Sequence, residues 1–262
     1  MTRHTNKMLA IKTKKFINAI IEAPPSKSYT QRALIVSALA KGKSVIKNPL
    51  FSDDTNYMIA ALKQFGIKIE KKGNDLVVQG RNGALSQPKN KVFAGNAGTA
   101  MRFLTALASL SQEASEASII TGDKRMQQRP IQDLLDGLRQ LGVKSESNNG
   151  FPPVKVYGGS FNGGNIKLKG GISSQYLSSI LMCAPYAKKN VEVSIAGELT
   201  SKPYIDITLD IMKNFGVSVK NRAYKKFIIK NNVKYKPKTY KVEGDASSAG
   251  YFLAAAAITK GR

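Results

Sequence analysis

Acidic residues are scarce in this chain: 17 Asp and Glu stand against 41 Lys and Arg, leaving a net charge of +24. Cysteine and histidine occur once each, as Cys183 and His4, and tryptophan is absent. One cysteine closes no disulfide within the chain and builds no cysteine metal site. One histidine, close to the N-terminus, excludes a Ser-His-Asp triad and a His-ligated metal. Cys183 itself reads as a small core residue on a helix. Long apolar runs are missing too. The most apolar stretch, Tyr251 to Ile258, is far short of the roughly 20 residues that a membrane-spanning helix needs. The N-terminus lacks the apolar centre of a secretory signal. Residues 1–21 are basic and free of acids, as in organelle transit peptides, but Met8–Ala23 alternates as a strand does, and that is the preferred reading.

What is present points to a folded protein. An apolar content of 42% over 262 residues suits one or two domains with a real core. Its main feature is repetition. The segments SDDTNYMIAALKQFGIKIE, RPIQDLLDGLRQLGVKSE and KPYIDITLDIMKNFGVSVK each read as an amphipathic helix, a stopping glycine and a short strand. The glycines are Gly66, Gly142 and Gly216, separated by 76 and 74 residues. In the second copy Ile131, Leu134, Leu135, Leu138 and Leu141 keep helical spacing. Pro130 and Pro203 fall where a first-turn proline belongs. A more apolar helix precedes each copy, starting near Ser28, Gly98 and Ser174, with a fourth start near Ser248. These starts are offset by 70, 76 and 74 residues. The expectation is three full copies of a strand–helix–strand–helix–strand–strand unit, and a fourth broken off at Arg262 that leaves Phe252 and Leu253 without partner strands.

The strong positive charge admits two readings. One is a nucleic-acid face, because counterion release favours basic surfaces. The other is a site for small, highly anionic substrates plus a lysine-rich surface. Nine basic residues crowd 220–241, which is the pattern of a solvated hairpin face. No aromatic-interleaved RNA-binding signature accompanies them.

The chemistry is suggested by the helix starts. Ser26-Lys27-Ser28, Gly95-Asn96-Ala97-Gly98-Thr99 and Ser173-Ser174-Gln175 are small and polar at matched repeat positions. Free N–H groups and the positive end of the helix dipole make such starts anion sites. If pseudo-threefold symmetry brings the three together beside Lys27, Arg32 and Arg125, they suit phosphates and a carboxylate. Taken singly, each is ordinary capping. Two familiar motifs fail: Gly42-Lys43-Ser44 lacks the earlier glycine of a P-loop, with Ser37 in its place, and no G-x-G-x-x-G opens a helix. Asp53-Asp54 reads by default as a helix N-cap.

Six ordered segments then carry a resemblance. They are Pro25-Ser26-Lys27-Ser28 with Arg32, Gly95 to Arg102, Thr121 to Met126 with Arg129-Pro130, Ser173-Ser174-Gln175, Ser201 to Asp206, and Glu243 to Ser248. Together they resemble the 5-enolpyruvylshikimate-3-phosphate synthases, from about Ala23 to the end. The resemblance implies an α+β enolpyruvyl transferase fold built from pseudo-threefold βαβαββ repeats. It implies a complete first domain over 25–240, with 1–24 and 241–262 belonging to a partial second domain. It implies a cytoplasmic, monomeric enzyme of aromatic amino acid biosynthesis, the target of glyphosate, working without metal or organic cofactor and without nucleic acid or membrane. In the implied reaction, the 5-hydroxyl of shikimate 3-phosphate attacks C2 of phosphoenolpyruvate while C3 is protonated, and the tetrahedral intermediate loses phosphate. Lys27, Ser28, Arg32, Ser173, Ser174, Ser201 and Tyr204 would hold shikimate 3-phosphate. Lys27, Arg125 and Gln175, with Asn96, Ala97, Gly98 and Thr99, would hold phosphoenolpyruvate. Lys27 is the catalytic candidate, stabilising charge near the bridging oxygen.

Two departures qualify the resemblance. Phe103 stands where the family usually has Pro, which bears on Gly98, Thr99 and the affinity for phosphoenolpyruvate or glyphosate. The family's acid/base Asp and Glu fall beyond Arg262, so residues 1–262 alone are expected to be inactive. The rivals are UDP-N-acetylglucosamine enolpyruvyl transferase, disfavoured by Ser28 and a cysteine-free Thr121–Gln128 loop, and a basic RNA-binding or RNA-end-modifying protein on a related repeat fold. A third is a domain that captures shikimate 3-phosphate without turnover.

Overall fold

A computed structural model describes residues 12–112, 116–171 and 173–262. Two compact units emerge, a large one over 25–243 and a small one made of 244–262 with the segment before residue 25. The large unit begins with α1 (Lys27–Leu39), β1 (Lys41–Lys47), α2 (Asp53–Gln64), β2 (Lys68–Lys72) and β3 (Asp75–Arg81). The second repeat is β4 (Val92–Phe93), α3 (Gly98–Ala108), β5 (Ala117–Thr121), α4 (Gln132–Gln140), β6 (Ser145–Asn148) and β7 (Phe151–Tyr157). The third is β8 (Gly164–Lys169), α5 (Ser174–Cys183), β9 (Val191–Ala196), α6 (Lys202–Asn214), β10 (Lys220–Arg222) and β11 (Lys226–Ile229). Then come β12 (Thr239–Lys241) and, in the small unit, α7 (Ala246–Thr259).

Each repeat is built on one four-stranded sheet, which the second and third repeats supply entirely themselves. The orders are β4-β5-β7-β6 and β10-β11-β9-β8, in which the first strand of the repeat lies parallel to the second and the rest pair antiparallel. The first repeat has no opening strand of its own. That place is filled by β12, which pairs parallel with β1 from Val45↔Thr239 to Lys47↔Lys241, giving the order β12-β1-β3-β2. Three complete copies read in line along the chain are therefore corrected. The third repeat's exit strand closes the first repeat's sheet, because an open β1 edge would leave its backbone groups unpaired.

The two kinds of helix differ in surroundings. In α1 every residue from Thr30 to Leu39 is buried, and α3 and α5 are nearly as enclosed. Their small and apolar residues let them enter the interior, where α3 packs on α5 and α1, and α6 on α1 and α5. The amphipathic α2 buries Thr55, Met58, Ala61 and Leu62, one face at helical spacing. The stops are as read: Gly66, Gly142 and Gly216 have φ of +83°, +88° and +88°, a left-handed conformation that glycine adopts without Cβ strain.

Three local expectations are corrected. The cap of α2 is Ser52, whose Oγ accepts from Thr55 N–H at 3.4 Å, with Asp53 and Asp54 in the first turn. Pro203 sits in the first turn of α6, but Pro130 precedes the Ile131 cap of α4. Its carbonyl is used elsewhere, accepting from Arg102 and Tyr176. The alternating stretch Met8–Ala23 begins, like His4, outside the described residues. From residue 12 it forms no strand, since alternation makes a strand only where a partner ladder runs alongside; its bonds instead join Ile17 and Ala19 to Arg262. Within the small unit α7 is capped by Asp245, and its Leu253 is 71% exposed.

Candidate anion-binding site

The starts of α1, α3, α5 and α6 meet at one cavity of about 330 Å³, lined by Lys27, Ser28, Arg32, Thr99, Ser173, Ser174, Gln175, Ser201 and Tyr204. Each start is built differently. Ser26 caps α1 through a long 3.5 Å bond from Tyr29 N–H. Ser173 caps α5, accepting from Gln175 N–H at 3.3 Å. Ala97 caps α3 with no side-chain bond, and Ser201 caps α6 in a left-handed conformation, φ 55°, again with none. Uncapped first-turn N–H groups remain available to an anion. Gln175 Nε2 donates to Thr99 Oγ1 at 3.2 Å, tying the α5 start to the α3 start.

Arg32 is the deepest cation, 1% exposed. Its Nε donates to Thr208 Oγ1 at 2.7 Å, Nη1 to the Ser28 carbonyl at 3.1 Å, and Nη2 to Ser178 Oγ and the Tyr204 carbonyl, both at 3.3 Å. The acceptors are all neutral, and burial lowers its pKa to about 10. It therefore stays charged at neutral pH with no carboxylate among the ion pairs of the described residues. Phe103, fully buried, lies beneath it with the ring centroid 5.2 Å from the guanidinium carbon. Phe103 also continues α3 as an unbroken helix to Ala108.

Lys27 is half exposed at the cavity mouth, its Nζ 2.9 Å from Asp54 Oδ2 on α2. Asp54 is thus an ion-pair partner, a role that the adjacent acids at a helix start did not disclose. Arg125 is exposed, at the cap of a short 3-10 turn over Met126–Gln128, and does not line the cavity. Asn96 is exposed and Ala97 buried in the turn before α3; of that turn, Thr99 lines the cavity. Sequence reasoning passed over Arg129, whose guanidinium lies on Gly98: a Cβ there would stand 2.5 Å from Nη1. Its place in the Arg-Pro pair was the available signal. Among the described residues, no group of three or more His, Cys, Asp or Glu could hold a metal ion, and no helix is long and apolar enough to cross a membrane.

Three βαβαββ repeats around converging helix starts, with a cation-lined cavity there, define a repeat protein of the enolpyruvyl transferase fold. The model of the EPSP synthase (3-phosphoshikimate 1-carboxyvinyltransferase) family matches residues 11–262. A 3-phosphoshikimate 1-carboxyvinyltransferase of Actinobacillus pleuropneumoniae is 48% identical over 244 residues, covering 91% of this chain and 56% of the relative. One from Buchnera aphidicola is 49% identical over 262 residues, covering 97% and 60%. The solved EPSP synthase of Acinetobacter baumannii superposes with a TM-score of 0.80 at 27% identity, over 92% of this chain and 54% of that one. The chain belongs to the EPSP synthase family. It spans somewhat more than half the length of the relatives it matches.

Proposed function

We propose that the large unit forms the phosphoshikimate-binding half of an EPSP synthase, which transfers the enolpyruvyl group of phosphoenolpyruvate to the 5-hydroxyl of shikimate 3-phosphate and releases phosphate. The observation that carries this reading is the convergence of four helix starts on one cavity holding Lys27, Arg32 and four serines. Hydroxyls and N–H groups suit a phosphate; a buried Arg, charged at neutral pH, suits a carboxylate. In this reading Ser28, Arg32, Ser173, Ser174, Ser201 and Tyr204 hold shikimate 3-phosphate. Lys27, Gln175 and the Asn96–Thr99 turn serve phosphoenolpyruvate, with Arg125 reaching that ligand only by moving from its exposed position. Lys27 supports the developing charge on the bridging oxygen. The relatives' names, which specify carboxyvinyl transfer to 3-phosphoshikimate, support the same substrates.

The test is calorimetric titration with shikimate 3-phosphate, with UDP-N-acetylglucosamine as control. Saturable heat with the first alone supports the reading. Saturation by the nucleotide sugar, or by neither, opposes it.

A further inference from the structure

The turn before α3 carries positive charge that the reading above leaves unexplained. Arg129 lies against Gly98, where a Cβ would meet Nη1 at 2.5 Å, Nη2 at 2.6 Å and Cζ at 2.8 Å. Its Nη1 donates to the Asn96 carbonyl at 3.5 Å. Arg102, 4% exposed, holds the same turn through the Gly98 carbonyl at 3.1 Å, and its Nε has no partner. Arg102 also donates to the Pro130 carbonyl at 3.1 Å, which accepts a second bond, from Tyr176 of α5, at 2.7 Å. The residue after Arg129 is thereby fixed to two helices. Two guanidinium groups therefore flank one glycine at a helix end that is itself positive and uncapped. Burial lowers the pKa of Arg102, and the nearby charge of Arg129 adds to the effect. None of the ion pairs among the described residues involves either arginine. Like charges packed this way are unfavourable unless an anion joins them.

We propose that Arg129 is a positioning and specificity residue for the anionic co-substrate: its guanidinium sets the Asn96–Thr99 turn so that the first N–H groups of α3 receive a phosphate or carboxylate. This rests on the functional reading above, with phosphoenolpyruvate as the anion. Arg129 acts through the turn, and shikimate 3-phosphate, seated on α1, α5 and α6, does not depend on it. The fork matters as well as the charge, because a planar guanidinium lies flat on a glycine while a lysine ammonium does not.

The experiment follows backbone amide shifts in the chain saturated with shikimate 3-phosphate while phosphoenolpyruvate is titrated in, for the parent, Arg129→Gln, Arg129→Lys and the exposed control Lys124→Gln. The expected result is saturable shifts at Gly98 and Thr99 in the parent, weakened about tenfold or more in Arg129→Gln and only partly restored in Arg129→Lys. Lys124→Gln and all affinities for shikimate 3-phosphate stay unchanged. Parent-like affinity in Arg129→Gln overturns the proposal. So does an equal loss in Lys124→Gln, which would make the effect one of general charge, or an absence of parent shifts at Gly98 while shikimate 3-phosphate binds. Failure to bind shikimate 3-phosphate at all instead strikes the functional reading beneath it.

Discussion

The guanidinium of Arg32 rests 5.2 Å above the ring of Phe103, a buried cation seated on a buried aromatic with only neutral oxygens as hydrogen-bond acceptors. Such a charge costs stability, because desolvation is not offset by a carboxylate. Removing it leaves no buried anion behind, and Ser178 and Thr208 still bond each other at 2.8 Å. Arg32→Met is therefore expected to hold or raise the urea midpoint while weakening shikimate 3-phosphate binding about a hundredfold, the exchange of stability for function common at binding sites. A destabilised variant with parent affinity would contradict the assignment.

The same charge has a pH signature. The folded pKa of Arg32, about 10, lies below the ordinary arginine value of the unfolded chain. The native state therefore bears the full cost of the charged form below about 10, and that cost lifts as pH rises from there toward the unfolded value. Ligand affinity, which needs the charge, is expected to be flat from pH 7 to 9 as far as Arg32 is concerned, and to fall above about 10. Calorimetry across that range checks it; a midpoint near pH 8 would assign the dependence to another group.

Lys27 and Asp54 form a half-exposed pair at 2.9 Å. Exposed pairs contribute about 0–1 kcal/mol, so Asp54→Asn should change stability by less than about 1 kcal/mol. Freed from its partner, Lys27 should bind anions a few-fold more tightly. Lys27→Met should leave the melting temperature near the parent's and weaken ligand binding. Denaturation and titration of the two variants separate these effects.

Phe103 is expected to resist the residue usual in the family. At position 103 the α3 ladder is regular, so Phe103→Pro removes one helix bond and sets the ring against the Thr99 carbonyl, at about 3 kcal/mol or more, with loss of the packing beneath Arg32. Urea unfolding measures it, and parent-like stability would show that this helix end tolerates a kink.

The repeat stops offer a graded test. Gly216 has φ +88° with its nearest neighbours no closer than 3.6 Å to a Cβ, whereas at Gly142, also φ +88°, a Cβ would clash with the Asn162 side chain. Gly216→Ala should cost about 1–2 kcal/mol of backbone strain, and Gly142→Ala more. The reverse order in chemical denaturation would contradict the packing.

Much of this architecture was legible from periodicity. Ile131, Leu134, Leu135, Leu138 and Leu141 keep a helix face that is buried as expected, and the glycine spacing marks the repeats because a local backbone requirement recurs with each copy. The closing strand β12 was not legible. Three residues carry little pattern, and their meaning comes from pairing with β1 nearly 200 residues earlier. Within the site, Lys27, Arg32 and the serines were named from their motifs, but the tie between Lys27 and Asp54, the ring under Arg32 and the seat of Arg129 on Gly98 are tertiary contacts, the first and last within a repeat and the second between repeats. No spacing along one segment encodes them.

The central claim is that helix starts from all three repeats form one ligand site, and amide shifts under titration with shikimate 3-phosphate test it most directly. The expected result is that Ser28, Ser174 and Ser201 move together along a single saturation curve, with Thr99 responding through Gln175. Shifts confined to one helix start, or separate curves for each, would contradict a common site.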